Sequence, residues 1–320
     1  MDHPESSIPV IAELDAADIP KACNLFQTVF GHAVSPESWH WKYQDGPRLG
    51  SVNRVAKDAH GELLGHVGAS IFPGSIQGKP VAMAQVCDVM VRPSARGNLK
   101  LSNIYPRLLA ALQQEVVTRF AVPFAYGFAG KRQVALGARM GFYRALHTYY
   151  PTYNSPSTRR SWRAQLWKVK EIDWDPARLD KIWTQYQSCL KHPTVIRSGE
   201  YLRWRYQNHP THSYRLWLVR HPLSHMLLGC GWLITRTMPN GEVCVVDALL
   251  PSTAHHPDLM PALAQAFSKT APNPPAIYGW VQEPQNNPSH HPVIACEVYM
   301  THWHTDYPNP AFQPGDTDVY

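Results

Sequence analysis

The sequence predicts an α/β (α+β) chain built from two domains in tandem, each a mixed sheet flanked by helices. Two observations carry this. In the first half, β-branched runs and helix-periodic stretches follow the order strand, helix, three strands, helix, strand, helix. In the second half, three stretches of the first return in the same order. Trp41–Pro47 (WKYQDGP) recurs as Trp204–Pro210 (WRYQNHP), Asp88 of CDVMVRP as Asp247 of VDALLP, and Tyr126 of AYGF as Tyr278 of IYGW. Their offsets of 163, 159 and 152 residues shrink slowly, which points to duplication of a whole domain. The expected boundaries are a first domain over 1–150, a link over 151–170 and a second, degenerate domain over 171–320.

The elements of the first half follow from local pattern. Val10 to Leu14 reads as a strand, and Asp18 to Phe30 as a helix with Asp18 at its cap and Ile19, Ala22, Leu25, Phe26 and Val29 on its apolar face. Two strands follow, Asn53–Lys57 and Leu63–Phe72, joined by the polar turn Asp58–Gly61, and Pro73–Lys79 reads as a loop. Val86, Val89 and Val91 give the next strand, which Pro93 ends. Beyond the small, polar turn 94–98, Ile104, Leu108, Leu109 and Leu112 recur at helical spacing, with Ser102 or Asn103 as the cap and Pro106 in the first turn. Phe124–Phe128 is a further strand, Gln133–Met140 a short helix, and Gly141-Phe142 closes the unit. Leu259–Phe267 is the matching helix of the second half.

Composition narrows the class. At 320 residues with 44% hydrophobic side chains, the chain can bury a substantial core. Its 30 lysines and arginines against 24 acidic residues suit phosphate-bearing ligands, but the excess is too small to select nucleic acid. No basic-then-apolar leader and no long apolar run occurs, so neither secretion nor a membrane span is expected. Six cysteines without C-x-x-C spacing fit free thiols in a reducing cytoplasm.

The stretch from Val86 to the helix at Ile104 has the makings of an anion site. The first amides of a helix lack intrahelical partners and the helix dipole favours negative charge there, while Arg96 and Lys100 add formal positive charge. The order V-x-P-x-x-R-G, formed by Val91, Pro93, Arg96 and Gly97, resembles the acyl-CoA-binding segment of the GNAT acyltransferase superfamily. That family usually continues R-G-x-G-x-G or R-G-x-G-x-A, and here Leu99 and Leu101 take the later positions. The order of elements and the segment AYGFAGKRQVALGARMGF are also similar to a GNAT domain, and the whole chain resembles the tandem-GNAT proteins of bacteria.

The resemblance implies mostly antiparallel sheets and an N-acyltransferase using acetyl-CoA or another acyl-CoA. Its thioester arm would lie along the strand carrying Val89, Met90 and Val91. Arg96, Gly97, Asn98, Leu99, Lys100, Leu101 and Ser102 would cradle the pyrophosphate, largely through main-chain amides. Asp88 is the carboxylate placed for a general base, weighed against a strand-end Asp that orders a loop. The tyrosine that such enzymes often use as acid would fall near Gly137, so Tyr126 and Tyr143 become the candidates, Tyr126 being weighed against a core role. Trp39, Trp41, Tyr43, Trp204 and Tyr206 are expected to serve the fold.

Seventeen histidines include His302 and His304 at strand spacing, but no pattern supports a metal. Cys87 reads as a buried thiol. The expected acceptor is a primary amine of a small molecule, amino sugar or peptide, with no membrane partner. Two alternatives stay open: an aminoacyl-tRNA or acyl-carrier-protein donor on the same fold, and a non-catalytic ligand- or partner-binding module.

Overall fold

The computed structural model describes residues 8–96, 103–154, 167–187, 190–220, 230–250, 276–281, 293–300 and 312–317, with 262–264, 266–267 and 310. The chain divides into two compact units. One comprises Met1–Leu146, His192–Ile196 and Ile294–Asn309, the other His147–Lys191, Arg197–Val293 and Pro310–Tyr320.

The first unit opens with β1 (Val10–Glu13) and α1 (Ile19–Phe30), preceded by a single 3-10 turn. Asp18 stands at the N-cap, but its side chain does not cap. Its carboxylate lies 2.7 Å from Lys57 Nζ instead, and that contact, ahead of the opposing cost of burial, holds the carboxyl below its usual range. Helix α2 (Pro36–Tyr43) is capped by the Ser35 hydroxyl, which accepts from Ser38 N. Then come β2 (Gly50–Lys57), β3 (Leu63–Ile76) and β4 (Lys79–Val91).

The loop expected over Pro73–Lys79 is instead the tip of a long hairpin. Ser75 pairs with Pro80 and Ile76 with Lys79, and Gln77 and Gly78 both turn with positive φ, 52° and 78°. Pro73 is accommodated within β3, where its carbonyl accepts from Ile196 N beside β8 (Thr194–Val195).

Helix α3 (Ile104–Phe120) is capped by Asn103, whose side chain accepts from Tyr105 N. It lays Ile104, Leu108, Leu109, Leu112 and Val116 on the sheet face lined by Val67, Ala69, Val86 and Val91. Opposite, α1 and α2 bury Leu25, Phe26, Trp39 and Tyr43 against Val55, Leu63, Cys87 and Met90. Strand β5 (Phe124–Ala129) and α4 (Lys131–Arg139) follow, and Gly141 turns with φ 76° into β6 (Tyr143–Asn154). β1 to β4 are antiparallel neighbours in order, and β5 joins β4 in parallel. The far edge of β5 is covered by residues Ile294–Val298 of β13 (Val293–Val298), from late in the chain.

The second unit carries β7 (Lys168–Glu171), α5 (Pro176–Gln187), α6 (Gly199–Leu202) with a π turn over Arg203–Gln207, β9 (Tyr214–Arg220), β10 (Cys230–Thr237), β11 (Val243–Leu249) and β12 (Ile277–Val281). β7, β9, β10 and β11 are successive antiparallel neighbours. β11 then pairs in parallel with β12, which is flanked by residues Tyr150–Asn154 of β6. Within the stretch expected as a link, 151–154 and 168–170 lie in β6 and β7, while 155–166 lies outside the described residues. Helical residues 262–264 and 266–267 fall within the helix expected at Leu259–Phe267. His302 and His304 lie outside the described residues.

Candidate active site in the first unit

The site is a wedge between β4 and β5. These strands pair only from Met83 to Gln85 against Phe124 to Tyr126. At Gly127 they are still so close that a Cβ would stand 3.0 Å from the Val86 carbonyl. The register of β4 against β3 then shifts, with His66 opposite Met90 but Gly68 opposite Cys87, so β4 carries one extra residue. Asp88 sits in this bulge with φ 50°, a left-handed conformation that aspartate tolerates better than most residues.

The bulge re-aims side chains. Cys87 and Met90 join the α1/α2 face while Val86, Val89 and Val91 pack on the α3 face, and the Asp88 carboxylate turns toward α2. There, with its side chain 6% exposed, it accepts from Tyr43 OH at 2.7 Å and from Lys42 Nζ at 3.0 and 3.1 Å. A Cβ at Gly68 would overlap the Tyr43 ring, so only glycine lets that tyrosine lie against β3. Arg48 holds the end of α2 by donating to the carbonyls of Trp41 and Lys42.

The main chain of the bulge is held from below. His66, wholly buried, lies with Nδ1 2.9 Å from the Asp88 carbonyl and Nε2 3.0 Å from Asn53 Oδ1. Burial drives its pKa down to about 4 against the pull of Asp88, so the ring is neutral and carries one N–H. With Nδ1 donating to the Asp88 carbonyl, Nε2 accepts, which requires the Asn53 amide to turn its NH2 toward the ring.

The second unit repeats this arrangement with different partners. Asp247, on β11 beside an extra residue in the register, accepts from Tyr206 OH at 3.0 Å, Trp232 Nε1 at 3.0 Å and Arg197 Nε at 2.8 Å. Tyr43 with Asp88 and Tyr206 with Asp247 are therefore the same helix-to-strand contact made twice. Trp39, Trp41, Tyr43, Trp204 and Tyr206 are all buried, as expected of residues that serve the fold.

Tyr126 is buried on β5 between Gln85 and Glu297 in register and packs against the rings of Phe124 and Phe128, the placement of a core side chain. Tyr143 opens β6 and fills the space that Gly137 leaves. A Cβ on Gly137 would overlap its ring, so a side chain at that position and Tyr143 exclude one another. Burial, reinforced by the nearby Tyr105 hydroxyl, drives the Tyr143 phenol well above its usual range, and burial likewise raises that of Tyr105 in the first turn of α3.

Met90 and Val91 are buried on opposite faces of β4, and Arg96 folds back so that Nε donates to the Val91 carbonyl at 2.8 Å. Gly97, Asn98, Leu99, Lys100, Leu101 and Ser102 lie outside the described residues. Sequence reasoning missed Lys42 and His66 as neighbours of the wedge. The signal for the α2 contact was present, since the repeats containing Tyr43 and Asp88 recur together. No group of metal-binding side chains occurs among the described residues, and no described helix is long and apolar enough to cross a membrane.

Residues 10–144 match the acetyltransferase (GNAT) domain family. A comparison with curated proteins gives no match. Among solved structures, a conserved protein of Enterococcus faecalis V583 described as a probable N-acyltransferase superposes with TM-score 0.65 at 15% identity, over 91% of this chain and 72% of its own. A GCN5-related N-acetyltransferase from Kribbella flavida gives 0.63 at 13%, over 92% and 72%. Another from Anabaena variabilis ATCC 29413 gives 0.63 at 14%, over 92% and 73%. The match to the acetyltransferase (GNAT) domain family thus covers residues 10–144, and the likeness of the whole chain to these solved structures, at 13–15% identity, is one of fold.

Proposed function

We propose that this protein is an N-acyltransferase that takes acetyl-CoA or a longer acyl-CoA into the wedge of the first unit and passes the acyl group to a primary amine by direct attack on the thioester. The observation that carries this reading is the parting of β4 from β5 after Gln85 and Tyr126, with a helix N-terminus and Arg96 at the end of β4. The thioester arm would run along Val89 to Val91, and residues 96–102 would hold the pyrophosphate. The acceptor would be a small molecule, amino sugar or peptide. The free cysteines among the described residues are in keeping with a reducing cytoplasm. The second unit is read as a degenerate copy of the first, on the strength of the repeated tyrosine–aspartate contact.

Tyr143 is the side chain best placed to protonate the departing thiolate. It stands in the volume next to Gly137, and burial keeps its phenol protonated. Asp88, the sequence candidate for the base, is engaged by a cation and a phenol, and its duplicate in the second unit is engaged in the same manner. This favours Asp88 as a positioning residue that fixes the bulge, with the acceptor ammonium losing its proton to water.

Calorimetric titration with acetyl-CoA and CoA tests the donor. Micromolar binding, about −8 kcal/mol, that weakens in an Arg96→Ala, Lys100→Ala double variant is expected. Absence of binding to either ligand would overturn the acyl-CoA reading and, given Leu99 and Leu101, move the donor to an aminoacyl-tRNA or acyl-carrier protein.

A further inference from the structure

The second unit contains the same parting of strands as the first. β11 leaves β12 after Cys244 and Tyr278, as β4 leaves β5 after Gln85 and Tyr126. In the second unit, however, the chain itself lies at the opening. Residues Phe312–Thr317 reach it, with a 3-10 turn over Pro314–Asp316.

Groups of the wedge hold the segment along its length. Phe312 N donates to Tyr149 OH at 3.0 Å, and Tyr149 stacks on Trp280 of β12 with centroids 5.0 Å apart. Gln313 makes the two bonds that an adjoining strand would make. Its Nε2 donates to Ala248 O at 2.6 Å, and its Oε1 accepts from Ala248 N. Gly315 packs on the Tyr206 hydroxyl, and a Cβ there would come within 2.9 Å of the Val246 carbonyl. The Gly315 and Thr317 carbonyls accept from Nε and Nη2 of Arg205. Asp316 is buried and bidentate on Arg197 Nη2 at 2.8 and 2.9 Å, while Arg197 Nε reaches Asp247 at 2.8 Å. One buried guanidinium thus ties the segment to the aspartate that corresponds to Asp88.

We propose that Phe312–Thr317 is a built-in ligand of the second unit, a peptide strap seated in the strand wedge with the Gln313 side-chain amide on the main chain of Ala248. Ala248 follows Asp247 as Val89 follows Asp88. The strap therefore covers the main-chain groups whose counterparts in the first unit face the donor arm, a step that rests on the acyltransferase reading above. The consequence is one donor site per chain, with the second wedge closed by the protein's own sequence. In the repeat, Arg205 stands at the place of Lys42 and Arg197 at the place of Val34. Both arginines serve the strap rather than a substrate.

Hydrogen–deuterium exchange on the full chain tests the strap without any donor. In Gln313→Ala, exchange in a peptide spanning 245–250 should rise about tenfold, the loss of roughly one net hydrogen bond, while a peptide spanning 85–91 stays at the wild-type rate. Asp316→Asn should raise the same second-unit peptide by releasing the latch. Unchanged protection at 245–250 in both variants overturns the proposal, and so does a rise that appears equally at 85–91. Titration of the wild type with acetyl-CoA adds a separate reading: one site per chain is expected, and two sites would overturn the closed second wedge. Absence of any donor binding would sink the acyl-CoA reading while leaving the exchange result to decide the strap.

Discussion

Acid should loosen the first unit through His66. In an unfolded chain its imidazole takes a proton near pH 6.5, whereas burial holds the folded ring neutral down to about 4. Between those values the unfolded state binds the proton and the folded state does not, so stability falls as the pH falls through 6.5 and levels off below 4. The separation is worth roughly 3 kcal/mol in full, and about 2 kcal/mol of it is lost by pH 5. Stopping at pH 5 keeps clear of carboxyls such as Asp18, which titrate lower. Urea unfolding followed by circular dichroism at pH 7, 6 and 5 would measure this in the wild type and in His66→Gln, which keeps a donor for the Asp88 carbonyl but cannot titrate. The wild type should lose about 2 kcal/mol more than the variant over that range. Equal losses in the two proteins would refute the claim that the ring beneath the bulge is held neutral by burial.

Two further expectations concern the chemistry. Tyr143→Phe should lower kcat by about 100-fold, the usual contribution of a positioned acid, with the KM for the donor unchanged; an unaltered kcat would remove Tyr143 from the mechanism. Asp88→Asn separates a base from a positioning residue through the pH profile of kcat/KM. A positioning role predicts lower activity with the profile kept in shape, and disappearance of its acidic limb would restore Asp88 as the base.

Much of the first unit was legible because its signals are local. Asn103 caps α3, Ile104 to Leu112 turn one face to the sheet, and Pro93 stands just past the end of β4, all short-range effects of side-chain size and hydrogen-bonding groups. The hairpin at Gln77-Gly78 escaped the same reading. Pro73 and the glycines around it resemble a loop in composition, and long-range pairing of β3 with β4 overrides that preference. The recurrence of Trp41–Pro47, Asp88 and Tyr126 as Trp204–Pro210, Asp247 and Tyr278 was visible in the sequence, but not that Tyr43 grips Asp88 or that Tyr206 grips Asp247.

What the sequence determined by itself was therefore the main strands and helices of the first unit, though not α2, and the repeated motifs, since each depends on residues a few positions apart. Only the tertiary structure decided which groups far apart in the chain meet. It set Tyr143 into the space left by Gly137, a neutral His66 under the Asp88 bulge, residues 294–298 beside β5, and Phe312–Thr317 on Ala248 and Arg197. Such contacts are chosen by the burial and pairing that the whole fold makes available, and no local pattern encodes them.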